Sequence, residues 1–448
     1  MPVSLTLNVE MPFSEKEPVE YLRFRVLGIH SNQVVGAVEC ALVEFEQDLS
    51  GAVLRMRLVR SALIPIPLAP RIPLVLESQT RRFGFGKDDT PAIALGPRKQ
   101  PVNVHVAAIA LFCHRLNLAP RSINAIGLKS QSIEHVESKK QGELSPVELG
   151  DGVAIAQQTG ITTITEFKTT WSSKNMSCSL DGHLNELTLR HIDRYRVCVC
   201  IDNTLRFYAI PPYTDIDPNA VVEWQCKSSG VKFMEELQEI YYGRGGRLGH
   251  VRSAAVGKVY EGLVHGLLEK KRFTHLLHRA APGDEKIQEF ADECMLLALT
   301  EHDIIATVAR ITASDVVRQY RTFQVRHLPP NQRVDEILVC GLGSRNDQTM
   351  SYLRSQIQET RVNTIDTAGI PSIMKNAVAS AECAMLSILG LKCSSRGSKQ
   401  ERSTSVTGKI SPGSAWRSMM NHISKFRQDK AVPAIASIIV DSSNLETS

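Results

Sequence analysis

At 448 residues, 43% of them hydrophobic and 22% charged, the chain is long enough for two or three domains with substantial cores and has an ordinary globular composition. A net charge of +5 is too mild to point to nucleic acid, no apolar run reaches the roughly 18 residues of a membrane helix, and Met1-Pro-Val-Ser-Leu-Thr lacks the basic and apolar regions of a signal peptide. The ten cysteines include no CxxC pair, and Cys198, Cys200, Cys340 and Cys383 sit inside apolar runs; they read as small buried hydrophobes of a reduced, cytoplasmic protein. The alternation Cys198-Val-Cys200 is expected to point its two thiols apart.

Three strands open the chain, Tyr21–His30, Val34–Phe45 and Val53–Pro65, rich in Val, Leu, Ile and Phe with partial alternation. A basic loop with two glycines follows at Arg81–Lys87. Next come a helix at Val104–Leu116, a strand at Ile123–Leu128, a helix at Asp151–Gln158 and a strand at Thr162–Phe167. A similar order begins again near Arg196. Strands are predicted at Arg196–Ile201, Leu205–Ile210 and Val221–Trp224, and long helices at Val251–Leu277 and Asp292–Thr322. A strand at Glu336–Cys340, a helix at Gln348–Gln358, a strand at Val362–Asp366 and a helix at Ser372–Leu391 complete the second half. Three strands followed by alternating helix and strand, twice over, imply two α/β halves with mixed sheets. The organisation expected is an N-terminal lobe over 1–195, a C-terminal lobe over 196–393, and a flexible linker with a C-terminal extension over 394–448. Ser394–Ser405 is the polar stretch that marks the linker.

The stretch Gly150-Asp-Gly-Val-Ala-Ile-Ala-Gln-Gln-Thr-Gly-Ile-Thr-Thr-Ile-Thr-Glu-Phe-Lys168 resembles a segment of the anhydro-N-acetylmuramic acid kinase family, G-D-x-x-x-I-A-x-x-T-G-I-T-x-V-x-D-F-R. Further matches follow in order. Val339-Cys-Gly-Leu-Gly-Ser-Arg-Asn346 resembles C-G-G-G-A-R-N, and Asp366-Thr-Ala-Gly-Ile-Pro-Ser-Ile-Met-Lys-Asn-Ala377 resembles D-x-x-G-I-P-x-x-x-K-E-A. Ile304–Ala313 resembles a packing helix of the family, and Gly408–Trp416 resembles the C-terminal extension of its fungal-type members. The resemblance implies a two-lobed actin/hexokinase-like fold, a duplicated ribonuclease-H-like α/β arrangement with a central cleft. It also implies ATP and Mg²⁺ as cofactors, and phosphoryl transfer to 1,6-anhydro-N-acetylmuramic acid, an amino sugar, with opening of its anhydro ring. Carried over by position, Gly341, Gly343 and Asn346 would bind nucleotide, Glu166 and Lys168 the sugar, and Ser31 is the remnant of a phosphate turn. A structural strand-end pair remains an equal reading of Glu166 and Lys168.

Other motifs have departed from the family. The phosphate turn G-I-N-S-G-T-S-M-D-G-I-D stands here as Gly28-Ile-His-Ser-Asn-Gln-Val-Val-Gly-Ala-Val-Glu39, in which Val34 and Val35 supply neither hydroxyl nor easy positive φ. G-S-H-G-Q-T has become Gly127-Leu-Lys-Ser-Gln-Ser132, and P-P-K-T-T-G-R-E is reduced to His278–Glu285. N-I-G-G-I-A-N has become Cys200-Ile-Asp-Asn-Thr-Leu-Arg206, with both glycines lost to Asp202 and Asn203. In place of the D-x-G-P-G that carries the family's general base stands Glu223-Trp-Gln-Cys-Lys-Ser-Ser-Gly230, so Gln225 occupies the aspartate position. An amide cannot take a full proton near neutral pH, and base catalysis is typically worth about 10²–10⁴-fold.

Three readings follow. The first is a diverged family member, catalytically weak or inactive, that acts by binding or as a scaffold. The second is an active carbohydrate kinase with a rebuilt site, using Glu223 or Asp217 as base; a carboxylate pointing into the cleft near Gln225 separates the two. The third is a nucleic-acid binder using Arg81–Lys87. Composition points against it, as it does against a membrane protein. Gly243–Gly249, with two arginines, reads as a phosphate cradle or, more commonly for such runs, a basic loop. His265, His275 and His278 fall on one basic helix; His275 and His278 have ligand spacing but lack an evident carboxylate partner, so they read as solvated helix surface and not as a metal site.

Overall fold

The computed structural model describes residues 21–32, 37–48, 52–65, 104–129, 132–133, 147–148, 151–167, 180–202, 204–213, 222–226, 230–242, 254–269, 285–391, 406, 408–427 and 435–441. Strands β1 (Tyr21–Asn32), β2 (Ala37–Asp48) and β3 (Val53–Pro65) form an antiparallel meander. Leu22, Phe24 and Val26 of β1 join one core and Leu27 and Ile29 another. Both faces of the strand are thus buried, which is why Val26-Leu27-Gly28-Ile29 reads as a continuous apolar run. A helix over 104–115, α1, covers the outer face with Val104, Ile109 and Phe112. Then follow β4 (Ala125–Lys129), the short antiparallel pair β5 (Ser132–Ile133) and β6 (Val147–Glu148), α2 (Gly152–Thr159), β7 (Thr162–Thr165) and α3 (Leu180–Leu189). Asp151 caps α2 by accepting from Val153 N and Ala154 N, and Gly160, at φ 73°, ends it.

The second half repeats the plan with β8 (Arg196–Ile201), β9 (Leu205–Ile210) and β10 (Val222–Cys226). Helices α4 (Gly230–Tyr242), α5 (Glu261–Glu269), α6 (Glu285–Leu296) and α7 (Glu301–His327) come next. The half closes with β11 (Glu336–Cys340), α8 (Asp347–Gln356), β12 (Arg361–Thr364) and α9 (Lys375–Ile388). The repeat is visible in the sheets. The first contains the strand order β3-β2-β1-β4-β7 and the second the order β10-β9-β8-β11-β12. In each, the second strand is antiparallel to both neighbours. The first, fourth and fifth strands run parallel. The protein is a mixed α/β molecule with a duplicated fold.

Each half sends its last helix across to the other. α9 lies on β1, β4 and β2 of the first sheet, while its first turn meets the second sheet. α3 packs on α9 and on β9. One core cluster therefore contains Leu22, Phe24 and Val26 together with Cys198, Tyr208 and Leu338. Beyond residue 405 the chain returns to the first sheet. Strand β13 (Lys409–Ser411) pairs antiparallel with β7, α10 (Trp416–Arg427) crosses over, and β14 (Ser437–Asp441) pairs parallel with β3. The first sheet is thereby extended to seven strands, with both edges covered. Residues 394–405, the expected linker, lie outside the described residues.

Several sequence expectations are corrected. The helix expected over Val251–Leu277 is broken at 257–260, where a Cβ on Gly257 would come within 1.9 Å of His302 O and Tyr260 N donates to Thr307 Oγ1. The helix expected over Asp292–Thr322 is two helices. A capping box between Thr300 and Asp303 starts α7 afresh after Ala298, at φ 56°. Helices α3 and α4 and the tail elements were not anticipated. Cys198 and Cys200 share a face, because residues two apart on a strand point the same way.

Candidate functional site

A small cavity lies where the halves meet, lined by Glu39 of β2, Cys200, Asp202, Gly341, Leu342, Ser372, Ile373, Lys375 and Asn376. Its position follows from the fold. β8 and β11 are parallel neighbours, so their C-terminal ends open side by side, which is where open α/β sheets bind ligands. The turn after β11 is built from Gly341, at φ 84°, and a short 3-10 segment, Leu342–Arg345. A Cβ on Gly341 would come within 2.7 Å of Asp202 Oδ1 and of Ile201 O, so glycine is required both by backbone angle and by space. A Cβ on Gly343 would meet Ile201 Cγ2 at 2.4 Å. The bare backbone at these two positions is thus occupied by the end of β8.

Asp202 joins the two strand ends. Its Oδ1 accepts from Leu342 N at 2.8 Å, and its Oδ2 accepts from the Cys200 thiol at 3.3 Å. The remaining turn groups are also engaged. Ser344 Oγ donates to Gly341 O at 2.6 Å, Gly341 N donates to Ser372 O, and Ser372 N and Oγ donate to the Asp366 carboxylate. Lys375 opens α9 from a buried position, with Nζ 3.7 Å from Cys198 Sγ and 5.1 Å above the Tyr208 ring centroid. Three cysteines floor this region. Cys198 Sγ lies 3.8 Å from Cys340 Sγ, and hydrogen bonding among the thiols, together with burial, holds Cys200 and Cys340 well above the ordinary thiol range.

The residues singled out from sequence fall in different places. Gly341 lines the cavity. Gly343 packs on Ile201, and Asn346 is buried as the cap of α8, accepting from Thr349 N at 3.1 Å. Gln225 pairs with Arg206, Arg206 with Cys200 and Cys200 with Cys340, one lateral row whose side chains share the face toward α9. Glu223 lies one pleat back in the row of Tyr208 and Cys198, and both Glu223 and Gln225 are exposed at the sheet edge. Ser31 turns the other way. Its hydroxyl is 2.5 Å from Nε2 of His105 on α1, a histidine that burial pulls down to about 4. Glu166, at φ 54°, is exposed and 3.5 Å from Lys409 of β13. Asp217, Lys168, Arg81–Lys87, Gly243–Gly249, His275 and His278 lie outside the described residues, and His265 is exposed on α5.

Sequence reading missed Glu39, Asp202, Lys375 and Cys200 as cavity residues. Each lay in a motif already compared. Glu39 ends the eroded phosphate turn, Asp202 replaces a glycine, Lys375 matches the family lysine, and Cys200 reads as packing. The usable signal was an acid inside an apolar strand or turn, retained at Glu39 and gained at Asp202.

Fold and site together define a mixed α/β protein with a duplicated sheet plan and a pocket between its halves. Comparison with known proteins gives the particular family. The family model described as anhydro-N-acetylmuramic acid kinase matches residues 24–176 and 242–413, and the chain belongs to that family. It is 26% identical over 389 residues to the anhydro-N-acetylmuramic acid kinase of Trichormus variabilis, covering 82% of this chain and 92% of the relative. It is 24% identical over 371 residues to that of Acaryochloris marina, covering 80% and 91%. Among solved structures, the activator of the 2-hydroxyisocaproyl-CoA dehydratase from Clostridium difficile with bound ADPNP aligns with a TM-score of 0.35 at 9% identity, over 80% of this chain and 93% of that one. Among the described residues, no helix is long and apolar enough to cross a membrane.

Proposed function

We propose that this chain is a diverged, cytoplasmic member of the sugar-kinase family whose turnover is weak or absent and which acts by binding, as a pseudokinase-like ligand-binding or scaffold protein. The observation that carries the reading is Asp202. Its carboxylate takes the Leu342 N–H, the donor that a strand-to-helix turn would offer to a phosphate oxygen, and sets a negative charge beside it. The pocket thus contains its own anion, and a polyphosphate entering there meets repulsion in place of a donor.

The described residues are a poor fit to a protein-held Mg²⁺. Mg²⁺ beside a polyphosphate takes one or two protein carboxylates, but both Asp202 oxygens are engaged, and Glu39 shares the cavity wall with the Lys375 ammonium.

One observation favours the second reading, an active carbohydrate kinase with a rebuilt site. Glu39 places a carboxylate on the cavity wall, and Glu223 lies on the face of Gln225. Asp217 remains a further candidate base. The test is ADP release from ATP, Mg²⁺ and 1,6-anhydro-N-acetylmuramic acid. The wild type is expected at the no-enzyme background. Gln225→Asp alone is expected to stay there, because Ser31 is held by His105 and the turn at Leu342 by Asp202. Robust turnover by the wild type, abolished in Glu39→Gln or Glu223→Gln, would establish the second reading instead.

A further inference from the structure

The three thiols beneath the pocket are not used by the sugar-kinase reading, and strand register distinguishes among them. Cys200 and Cys340 are direct partners on adjacent parallel strands, so their Cα atoms stand about one strand spacing apart, ~4.8 Å. That lies inside the roughly 4.4–6.8 Å span a disulfide bridges. Cys198 pairs with Leu338, two residues earlier on β11. At about 3.3 Å of rise per residue, its Cα is then roughly 8 Å from that of Cys340, beyond the span, even though the two sulfurs are 3.8 Å apart. Cys200 also lines the cavity, which gives a small oxidant a route that Cys198, fully buried, does not share.

We propose that Cys200 and Cys340 are an oxidant-responsive dithiol under the pocket floor, with peroxide as the class of oxidant and a cross-strand disulfide as the product. The Cys200 sulfur attacks one peroxide oxygen, the O–O bond breaks, and a sulfenic acid forms as the thiol proton leaves with the displaced hydroxide as water. The Cys340 sulfur then attacks the sulfenic sulfur, the S–S bond forms, and a second water leaves with the hydroxyl. Two thiols lose two electrons and hydrogen peroxide gains them. Hydrogen bonding among the thiols, with burial, raises both thiols well above the ordinary range, which slows their reaction with peroxide. Oxidation removes the thiol hydrogen that Cys200 donates to Asp202, and so reaches the residue that fixes the Leu342 turn. The proposal is independent of whether the pocket takes nucleotide.

The test is peptide mapping of the folded full-length wild type after hydrogen peroxide treatment, with and without dithiothreitol. The expected result is a linked pair of peptides carrying Cys200 and Cys340, lighter by two hydrogens and separated by dithiothreitol. The link should persist in Cys198→Ser and vanish in Cys200→Ser. In Cys340→Ser, the sulfenic acid at Cys200 should be trapped by dimedone. A Cys198–Cys340 link in the wild type, or thiols that remain free until the protein is unfolded, would overturn the proposal. Because the link is read first in the unaltered chain, a variant that fails to fold does not remove the test.

Discussion

A chain ended at Val406 is expected to fail as a soluble monomer. The tail it loses contributes Met419, Ile423, Phe426 and Ile438, each 4% exposed or less, to the core that also holds Leu22, Phe24 and Phe45. Burying a large apolar side chain is worth about 1.5–3 kcal/mol, so the four together contribute roughly 6–12 kcal/mol as an upper bound. That is comparable with the ~5–15 kcal/mol by which whole domains are stable. Ends are lost too. Gly413 N donates to Thr162 Oγ1 and Ser414 N to Gly160 O, bonds that tie the tail to the end of α2 and the start of β7. Without β13 and β14, the 13-residue strand β3 and strand β7 become open edges, the usual template for aggregation. Soluble yield and size-exclusion elution of the truncated chain measure this. A truncated monomer with a cooperative melt would show that the tail merely decorates the sheet.

The second large effect is at Gly28. A Cβ there would lie 1.8 Å from Ala377 O and 2.9 Å from Ala381 N, and one on Gly127 would lie 2.1 Å from Ser380 O. These are backbone atoms of α9, which cannot swing aside as a side-chain tip can. α9 is also held from the other side by Lys375 against Cys198 and Tyr208. Gly28→Ala must therefore push apart the two halves that α9 joins. Overpacking costs about 1–3 kcal/mol where neighbours can yield, and this site should exceed that range. Gly266→Ala on α5 is the matched control, since nothing stands within 4 Å of its would-be Cβ. Helix propensity should make that change stabilising by up to ~1 kcal/mol. Urea unfolding of the three proteins, with m compared, separates the outcomes. A Gly28→Ala protein within about 0.5 kcal/mol of the wild type would mean that α9 is not seated on β1 as described.

The sheets were the most legible part of this molecule. Apolar runs such as Val26–Ile29 and Arg196–Ile201 have few other places to go, and their spacing gave the repeat of three strands then alternating helix and strand. Helices were harder where tertiary contacts decide. Nothing local in Val251–Leu277 announces that Gly257 must fit against His302, although the Thr300-Glu-His-Asp303 capping box was readable and was passed over. The tail was illegible in a different way. Lys409-Ile-Ser411 becomes a strand because β7 presents an edge, which no property of three residues reveals. The site was half legible. Family glycines located the turn at Gly341, but the acid that fills it, Asp202, was read as a lost glycine and not as a gained carboxylate.

On the proposed reading, Asp202 takes the Leu342 N–H that a phosphate oxygen would otherwise meet. Calorimetric titration of ATP, with and without Mg²⁺, into the wild type and Asp202→Gly tests it directly. The expected result is wild-type binding no tighter than about millimolar and little changed by Mg²⁺, with Asp202→Gly at least ~10-fold tighter, the size of one charge-assisted hydrogen bond regained. Micromolar, Mg²⁺-dependent binding to the wild type, unimproved or weakened in Asp202→Gly, would contradict the proposed role of Asp202 and make it part of a working nucleotide site.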